Sequence, residues 1–151
     1  MPIRRDGNED ELRALDAYVK LRRASESISA RLHSSIKAMR LTESQFGILE
    51  ALYHLGSMCQ ADLGKKILKS NGNITMVVDN LEKRELVNRV RGAADRRYVS
   101  VELTAAGQTL MREAFPGHVQ AIVAQMSTLS AAEQDELARL CRKLGLQSQE
   151  A

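Results

Sequence analysis

The feature that most constrains this sequence is an amphipathic helical pattern preceded by a cluster of turn residues. Residues 70–73 read Ser-Asn-Gly-Asn, which is typical of a helix start. Apolar residues then recur at i, i+3, i+4 and i+7, at Ile74, Val77, Val78 and Leu81. One face of this predicted helix would therefore pack on a core. The opposite face carries side chains of the kinds that reach base edges and phosphates, namely Thr75, Met76, Asp79, Asn80 and Lys83.

The flanking residues place this helix in a larger motif. Residues 60–68 predict a shorter helix with Leu63 and Ile67 facing inward. Downstream, two β-rich runs begin at Val87 and Val99, and a basic loop of residues 92–97 separates them. A helix-turn-helix followed by a basic hairpin is a winged helix. In that arrangement the second helix enters the major groove, and the wing meets the neighbouring backbone or minor groove.

Five groups of residues occur in a fixed order across this segment: Gly72-Asn73-Ile74-Thr75, Val78-Asp79-Asn80-Leu81-Glu82-Lys83-Arg84, Leu86-Val87, Asp95-Arg96-Arg97 and Leu103-Thr104-Ala105-Ala106-Gly107. Together they resemble the DNA-binding core of the MarR family of bacterial transcription regulators, and their combined spacing is more specific than any one group. Glu85 is a departure, because the family usually has glycine there as a left-handed helix stop. A left-handed Glu85 would cost roughly 1 kcal/mol; otherwise the turn differs slightly.

The predicted fold class is mainly α, with a small β-hairpin wing. We predict a single domain over residues 1–151, in which residues 42–103 form the winged-helix core and residues 10–39 and 104–146 form dimerisation helices. The first of these is longer than one small domain needs, which favours a homodimer. Capping boxes begin at Thr42 and Ser130. Pro116 and Gly117 are predicted to interrupt the helix after the wing, and Cys141 is predicted to lie in a core.

Charge and composition narrow the function classes. The net charge is +3, and residues 62–100 contain nine Lys/Arg against five Asp/Glu, so the excess lies in the winged-helix segment, as a phosphate-facing surface requires. The sequence shows no nucleophile–base pair, metal-ligand spacing or phosphate-binding glycine loop, so we predict neither an enzyme nor a cofactor. It also shows no signal peptide or membrane span, so a cytoplasmic protein without a membrane partner is expected.

The predicted partner is double-stranded DNA, because asparagine can bond adenine bidentately and Met76 could meet a thymine methyl. Arg96 is placed at the wing tip, and Arg97 is expected to brace the wing by pairing with Asp95 or Asp79. A two-fold dimer predicts a pseudo-palindromic operator with half-sites about 10–10.5 bp apart. The predicted DNA-binding residues are Lys65, Lys69, Ser70, Asn71, Asn73, Thr75, Met76, Asn80, Lys83, Arg91, Arg96 and Arg97.

The resemblance also implies how DNA binding is switched. It implies repression as the default, and release by a small aromatic or phenolic effector bound between the dimerisation helices and the DNA-binding part. The candidate pocket residues, with Arg22 as the counterion, are Tyr18, Arg22, Ser25, Phe46, Leu49 and Tyr53. One alternative is a redox-responsive regulator that uses the thiol of Cys59, which precedes a helix. Another is a winged-helix module that binds protein instead of DNA.

Overall fold

The computed structural model describes residues 6–67 and 71–146, and it confirms the predicted fold class. Six helices and three short strands follow one another in this described part of the chain. Their bounds, in chain order, are α1 Glu9–Ala38, α2 Glu43–Leu55, β1 Met58–Cys59, α3 Gln60–Ile67, α4 Asn71–Lys83, β2 Val87–Arg91, β3 Val99–Leu103, α5 Ala105–Met126 and α6 Ala131–Leu146. None of the described helices is both long and apolar enough to cross a membrane.

The chain divides into two compact units, one ending at His118 and the other beginning at Val119. The first unit contains one core of mostly aliphatic residues, to which the end of α1, α2, α3, α4, both hairpin strands and the start of α5 contribute. The predicted inward face of α4 is confirmed, because Ile74, Val78 and Leu81 are fully buried and Val77 packs against them. Burial of this stripe removes apolar surface from water and fixes which face of α4 points outward.

The sheet has the order β1-β3-β2, and all its pairs are antiparallel. Val87 lies opposite Leu103 and Arg91 opposite Val99, so β2 and β3 form the predicted hairpin. The two-residue strand β1 pairs Met58 with Val101 on the other edge of β3. The sequence did not predict β1, because two residues are too few to show an alternating pattern.

The predicted helix caps are present in the structure. Thr42 begins α2 with a capping box, in which Gln45 donates its backbone N–H to the Thr42 hydroxyl at 3.1 Å and accepts from the Thr42 N–H at 3.0 Å. In the second unit, Ser130 and Glu133 form the same reciprocal pair, at 2.9 and 3.2 Å, before α6. These bonds satisfy backbone donors that the first turn of a helix leaves without partners.

The turn after α4 is left-handed at Glu85, whose φ is 60°. The Thr104 hydroxyl donates to the Glu85 carbonyl at 2.6 Å and accepts from the Gly107 N–H at 3.0 Å, so Thr104 both holds this turn and caps α5. A Cβ atom at Gly107 would overlap the carbonyl oxygen of Leu86. Thr104 and Gly107 of the Leu-Thr-x-x-Gly sequence therefore both have a structural role where the turn after α4 meets the start of α5.

The structure corrects two predictions made from the sequence. Pro116 does not interrupt the helix after the wing, since α5 continues through it. Its missing N–H removes only the bond to the Arg112 carbonyl, and both residues are at least partly exposed, so water can reach that carbonyl. Cys141 is exposed and does not lie in a core, because no residue of α6 is buried in the single chain.

Candidate nucleic-acid interface

The outward face of α4 carries polar side chains on a helix whose other face is buried. Asn73, Thr75, Met76, Asn80 and Lys83 are all exposed on it, and the Met76 side chain is 58% exposed. The opposite face is anchored in the core, so these side chains are held on a fixed helix surface. Such a surface combines hydrogen-bonding groups, an apolar tip and a cation, which are the groups that read DNA bases and phosphates.

Some predicted contacts cannot be placed. Lys69 and Ser70 lie outside the described residues. Asn71 is the first residue of α4, but only its backbone is described. Lys65 is exposed in the last turn of α3. On either side of the turn, the structure therefore places Lys65 and Asn73 on the surface.

A polar network centred on Arg89 connects α4 to β2, and the sequence did not predict it. The Nη1 atom of Arg89 lies 2.7 Å from Asp79 Oδ1 and 3.2 Å from Glu82 Oε1, while its backbone N–H donates to Glu82 Oε2 at 3.0 Å. Its Nη2 atom donates to Gln60 Oε1 and to the Thr75 carbonyl, both at 3.3 Å. The signal that could have found it is an arginine in the first wing strand, seven residues after a glutamate on α4.

Gln60 completes this network at the start of α3. Its Nε2 atom donates to the Thr75 hydroxyl at 2.6 Å, while its Oε1 atom accepts from Arg89. Both ends of the Gln60 amide are therefore bonded to defined partners. The first helix of the helix-turn-helix, the second helix and the wing meet through these side chains.

The wing tip is a tight loop closed by its own backbone. Gly92 donates to the Tyr98 carbonyl at 2.7 Å and Tyr98 donates to the Asp95 carbonyl at 3.1 Å. A Cβ atom on Gly92 would lie 2.7 Å from the Asp95 carbonyl oxygen, so a larger residue would not fit. The loop therefore presents residues 93–97 in one defined turn.

The two wing arginines have different surroundings. Arg97 donates to Asp95 through its backbone N–H at 2.9 Å and through Nε at 3.1 Å, and these bonds lower the pKa of the Asp95 carboxyl. Of the two pairings that the sequence left open for Arg97, the structure contains the one with Asp95. Asp79 pairs with Arg89 instead, so the alternative in which Asp79 holds a tip arginine is wrong. The Arg96 side chain is exposed, and its carbonyl accepts from Arg91 Nη1 at 3.0 Å.

An open groove of about 510 Å³ lies between the start of α3, α4 and the wing. Cys59, Thr75, Arg89 and Tyr98 are among its lining residues. Cys59 is half-buried at the end of β1, directly before α3. Within the described residues, no cluster of His, Cys, Asp or Glu side chains could hold a metal ion.

The six predicted effector-pocket residues divide into two sets. Phe46 and Leu49 are buried in the core, and Tyr53 packs at its edge beside Phe115, with ring centroids 6.0 Å apart. Tyr18, Arg22 and Ser25 are exposed along α1. The Arg22 guanidinium lies 6.0 Å from the centre of the Tyr18 ring and pairs with Glu26 at 3.0 Å.

A buried histidine lies beside the core set and was not among those candidates. His118 is 6% exposed, and its ring centroid lies 4.5 Å from that of Phe46. The Ser35 hydroxyl donates to the Leu32 carbonyl at 2.8 Å, so its oxygen accepts from Nδ1 of His118 at 2.9 Å. The histidine thereby connects α1, α2 and α5 at the end of the first unit.

Comparison with known proteins agrees with this geometry. The MarR family model matches residues 41–99. The chain is 33% identical over 138 residues to the HTH-type transcriptional regulator MhqR of Bacillus subtilis (strain 168), a match that covers 91% of this chain and 95% of that protein. These relatives are transcriptional regulators and not enzymes.

Solved structures give the same result. The structure of Bordetella bronchiseptica BpsR, whose DNA binding is regulated by 6-hydroxynicotinic acid, superposes with a TM-score of 0.78 at 30% identity, covering 86% of this chain and 98% of that one. A MarR family regulator from Streptomyces coelicolor in complex with DNA has the same fold, with a TM-score of 0.80 at 21% identity over 95% of this chain and 91% of that one. The chain is therefore a DNA-binding transcriptional regulator that belongs to the MarR family.

Proposed function

We propose that this regulator is a homodimeric repressor, that its two α4 helices read a pseudo-palindromic operator, and that a small aromatic compound releases it. The observation that carries the proposal is the outward face of α4. Its side chains are exposed and polar while the opposite face is fixed in the core. A helix held in this way can be placed in a major groove with defined side chains toward the bases.

The base-reading role falls on the exposed polar residues of α4. Asn73 and Asn80 are seven positions apart, two turns along the helix. An asparagine amide can make two hydrogen bonds to adenine, and the Met76 thioether can contact a thymine methyl. Each good base contact is worth about 1–3 kcal/mol of discrimination. We assign Lys83 at the end of α4 and Lys65 on α3, both exposed, to the flanking phosphates.

The wing supplies binding that does not depend on sequence. Arg96 is exposed at the tip, whereas Arg97 is held by Asp95. Arg91 on β2 stabilises the tip by donating a hydrogen bond to the Arg96 carbonyl. We therefore assign Arg96 to the minor groove or backbone, and Arg97 and Asp95 to holding the wing in shape.

The dimer is supported by apolar surface that the single chain leaves exposed. Leu137, Leu140 and Leu144 recur at i, i+3 and i+7 on α6, and all three are exposed. Val123 on α5 and Leu21 on α1 are also exposed. An apolar stripe of this kind marks an interaction surface, and a second copy of the same chain is the commonest partner in soluble oligomers.

The proposed effector is a small hydroxylated aromatic acid. The support is the 30% identity to BpsR, whose ligand is of that class. Arg22 on α1 is exposed and close to the Tyr18 ring, so the two could meet a carboxylate and an aromatic ring. Ser25 lies one turn further along α1. Phe46 and Leu49 belong to the core and Tyr53 packs against it, so these three are not part of this exposed set.

The experiment that tests DNA reading is selection of duplexes from a randomised library with the full-length protein. We expect recovery of a pseudo-palindrome with half-sites about 10–10.5 bp apart. Asn80→Ala should lose the preference at one position in each half-site while general DNA binding is retained. Recovery of no motif, with only salt-sensitive binding, would exclude sequence-specific reading. Elution of the purified protein from a heparin column at low salt would favour the alternative, a winged-helix module that binds protein instead of DNA.

The dimer and the effector are tested separately. Leu140→Glu on α6 should yield a monomer by light scattering, while Arg142→Glu, an exposed position off the leucine stripe, should remain dimeric. A dimeric Leu140→Glu protein would exclude this interface.

Addition of 6-hydroxynicotinic acid or a hydroxylated benzoate should release wild-type protein from the operator but leave Arg22→Gln bound. Equal release of both proteins would exclude the Arg22 site.

A further inference from the structure

Arg89 and Arg97 both belong to the wing, but they differ in how much of each side chain is exposed to solvent. Its side chain is 23% exposed, compared with 92% for Arg97. Its guanidinium contacts two carboxylates, an amide and a backbone carbonyl, contributed by α3 and α4. These partners use the planar fork of donors that only arginine offers.

The partners on α4 lie on one side of that helix. Thr75, Asp79 and Glu82 are spaced at i, i+4 and i+7, so one guanidinium and its own backbone N–H bind two turns of α4. Through Gln60 the same guanidinium also bonds the first residue of α3. The rotation of α4 about its axis, and its position along that axis, are thus tied to the first wing strand.

The charge balance around Arg89 disfavours a phosphate contact. Asp79 and Glu82 together carry two negative charges against the single positive charge of Arg89. A phosphate approaching this cluster would meet a net negative site, unlike the exposed Arg96 at the wing tip. The network therefore acts within the protein.

From these observations we infer that Arg89 is a positioning residue that sets the register between α4 and the wing, and that this register determines how well the protein discriminates its operator from other DNA. The inference rests on the proposed function of α4. Base contacts require an accuracy of a few tenths of an ångström in the helix position, whereas phosphate contacts by long basic side chains tolerate small shifts. Loss of Arg89 should therefore affect specific binding and spare general binding.

The test compares Arg89→Gln and Arg89→Lys with wild type on the selected operator and on a scrambled duplex, across a series of salt concentrations. We expect Arg89→Gln to weaken operator binding by about tenfold, in the range of one lost base contact. Binding to the scrambled duplex and the salt slope should be unchanged. Arg89→Lys keeps the charge but not the fork, so it should show most of the same loss.

Arg96→Gln is the matched control, since Arg96 lies in the same wing and its loss removes the same charge, but its side chain is exposed and is assigned to a minor-groove or backbone contact. It should weaken binding to both duplexes and reduce the salt slope by about one. If Arg89→Gln behaves as this control does, Arg89 contacts phosphate and the inference is wrong. An unchanged ratio of operator to scrambled affinity would also overturn it.

Two further outcomes need their own interpretation: a variant that does not fold, and a wild-type protein that selects no operator. If Arg89→Gln does not fold, Glu82→Ala decides, because it removes the bonds of Arg89 to Glu82 and leaves those to Asp79 and Gln60 in place. A severalfold loss of discrimination by Glu82→Ala supports the inference, and wild-type discrimination contradicts it. If wild-type protein selects no operator at all, the proposed function fails on that result alone, and the inference fails with it.

Discussion

Replacing Glu85 by glycine should make the protein more stable. Glu85 has a φ of 60°, in the left-handed region, where a residue with a Cβ atom is strained by about 1–2 kcal/mol. Its side chain is exposed and forms no hydrogen bond or ion pair within the described part of the chain. The bonds at this position, from its N–H to the Glu82 carbonyl and from the Thr104 hydroxyl to its own carbonyl, are retained by glycine.

The gain is smaller than the strain, because glycine also loses more backbone entropy on folding. That cost is roughly 0.5–1 kcal/mol, which leaves a net stabilisation of up to about 1.5 kcal/mol for Glu85→Gly. For a chain of this length, the corresponding rise in Tm is up to about 6 °C. Thermal and urea unfolding followed by circular dichroism, at one fixed protein concentration, would measure both quantities.

The matched control is the same substitution at Glu113, an exposed position inside α5. There glycine relieves no strain and reduces helix propensity, so Glu113→Gly should destabilise by about 0.5–1 kcal/mol. The two variants make the same chemical change in different backbone conformations, and their effects should have opposite signs. A Glu85→Gly protein that is less stable than wild type would refute the assignment of strain to this turn.

Four further outcomes follow from the geometry. Arg96→Ala should weaken binding to all DNA sequences and flatten the salt slope by about one in titrations at several salt concentrations, and an unchanged slope would exclude a phosphate contact. The bonds from Arg97 lower the pKa of Asp95, so this ion pair is intact at pH values above the ordinary aspartate pKa and is lost as the pH falls through the lowered pKa. A titration of the Asp95 carboxyl by NMR with a midpoint at or above the ordinary aspartate pKa would contradict this. Gly107→Ala should lower stability by about 1–3 kcal/mol in urea unfolding, because its Cβ overlaps a backbone carbonyl, and a wild-type midpoint would show that the turn can relax. In a DNA-binding assay, the aromatic effector should still release Cys59→Ser protein from the operator. If peroxide releases wild-type protein but not Cys59→Ser, the redox alternative is favoured.

Much of the fold follows from local sequence patterns. The spacing of Ile74, Val78 and Leu81 predicted both the α4 helix and the face that is buried. The capping boxes at Thr42 and Ser130 predicted two helix starts, because capping depends on side chains within one turn. Such features are determined by neighbours in the chain, so the order of residues is enough to predict them.

Features that join distant parts of the chain were not predictable in this way. Strand β1 exists only because Met58 meets Val101 on β3, 43 residues later in the sequence. Pro116 was predicted to interrupt α5, but its accessible position allows the helix to continue. The exposure of Cys141 likewise depends on what covers α6, and the apolar pattern alone does not show this.

The candidate site likewise has features that follow from local sequence patterns and features that depend on tertiary contacts. The sequence by itself determined a winged helix with a polar reading face on α4 and a basic wing, because helical and β periodicity assign each side chain to a face. Only the tertiary structure decided that Asp79 pairs with Arg89, that Arg97 pairs with Asp95, and that Gln60 joins the network. The physical reason is that a charged side chain can reach several partners, and only the packing of α3, α4 and the hairpin determines which of them lies within hydrogen-bonding distance.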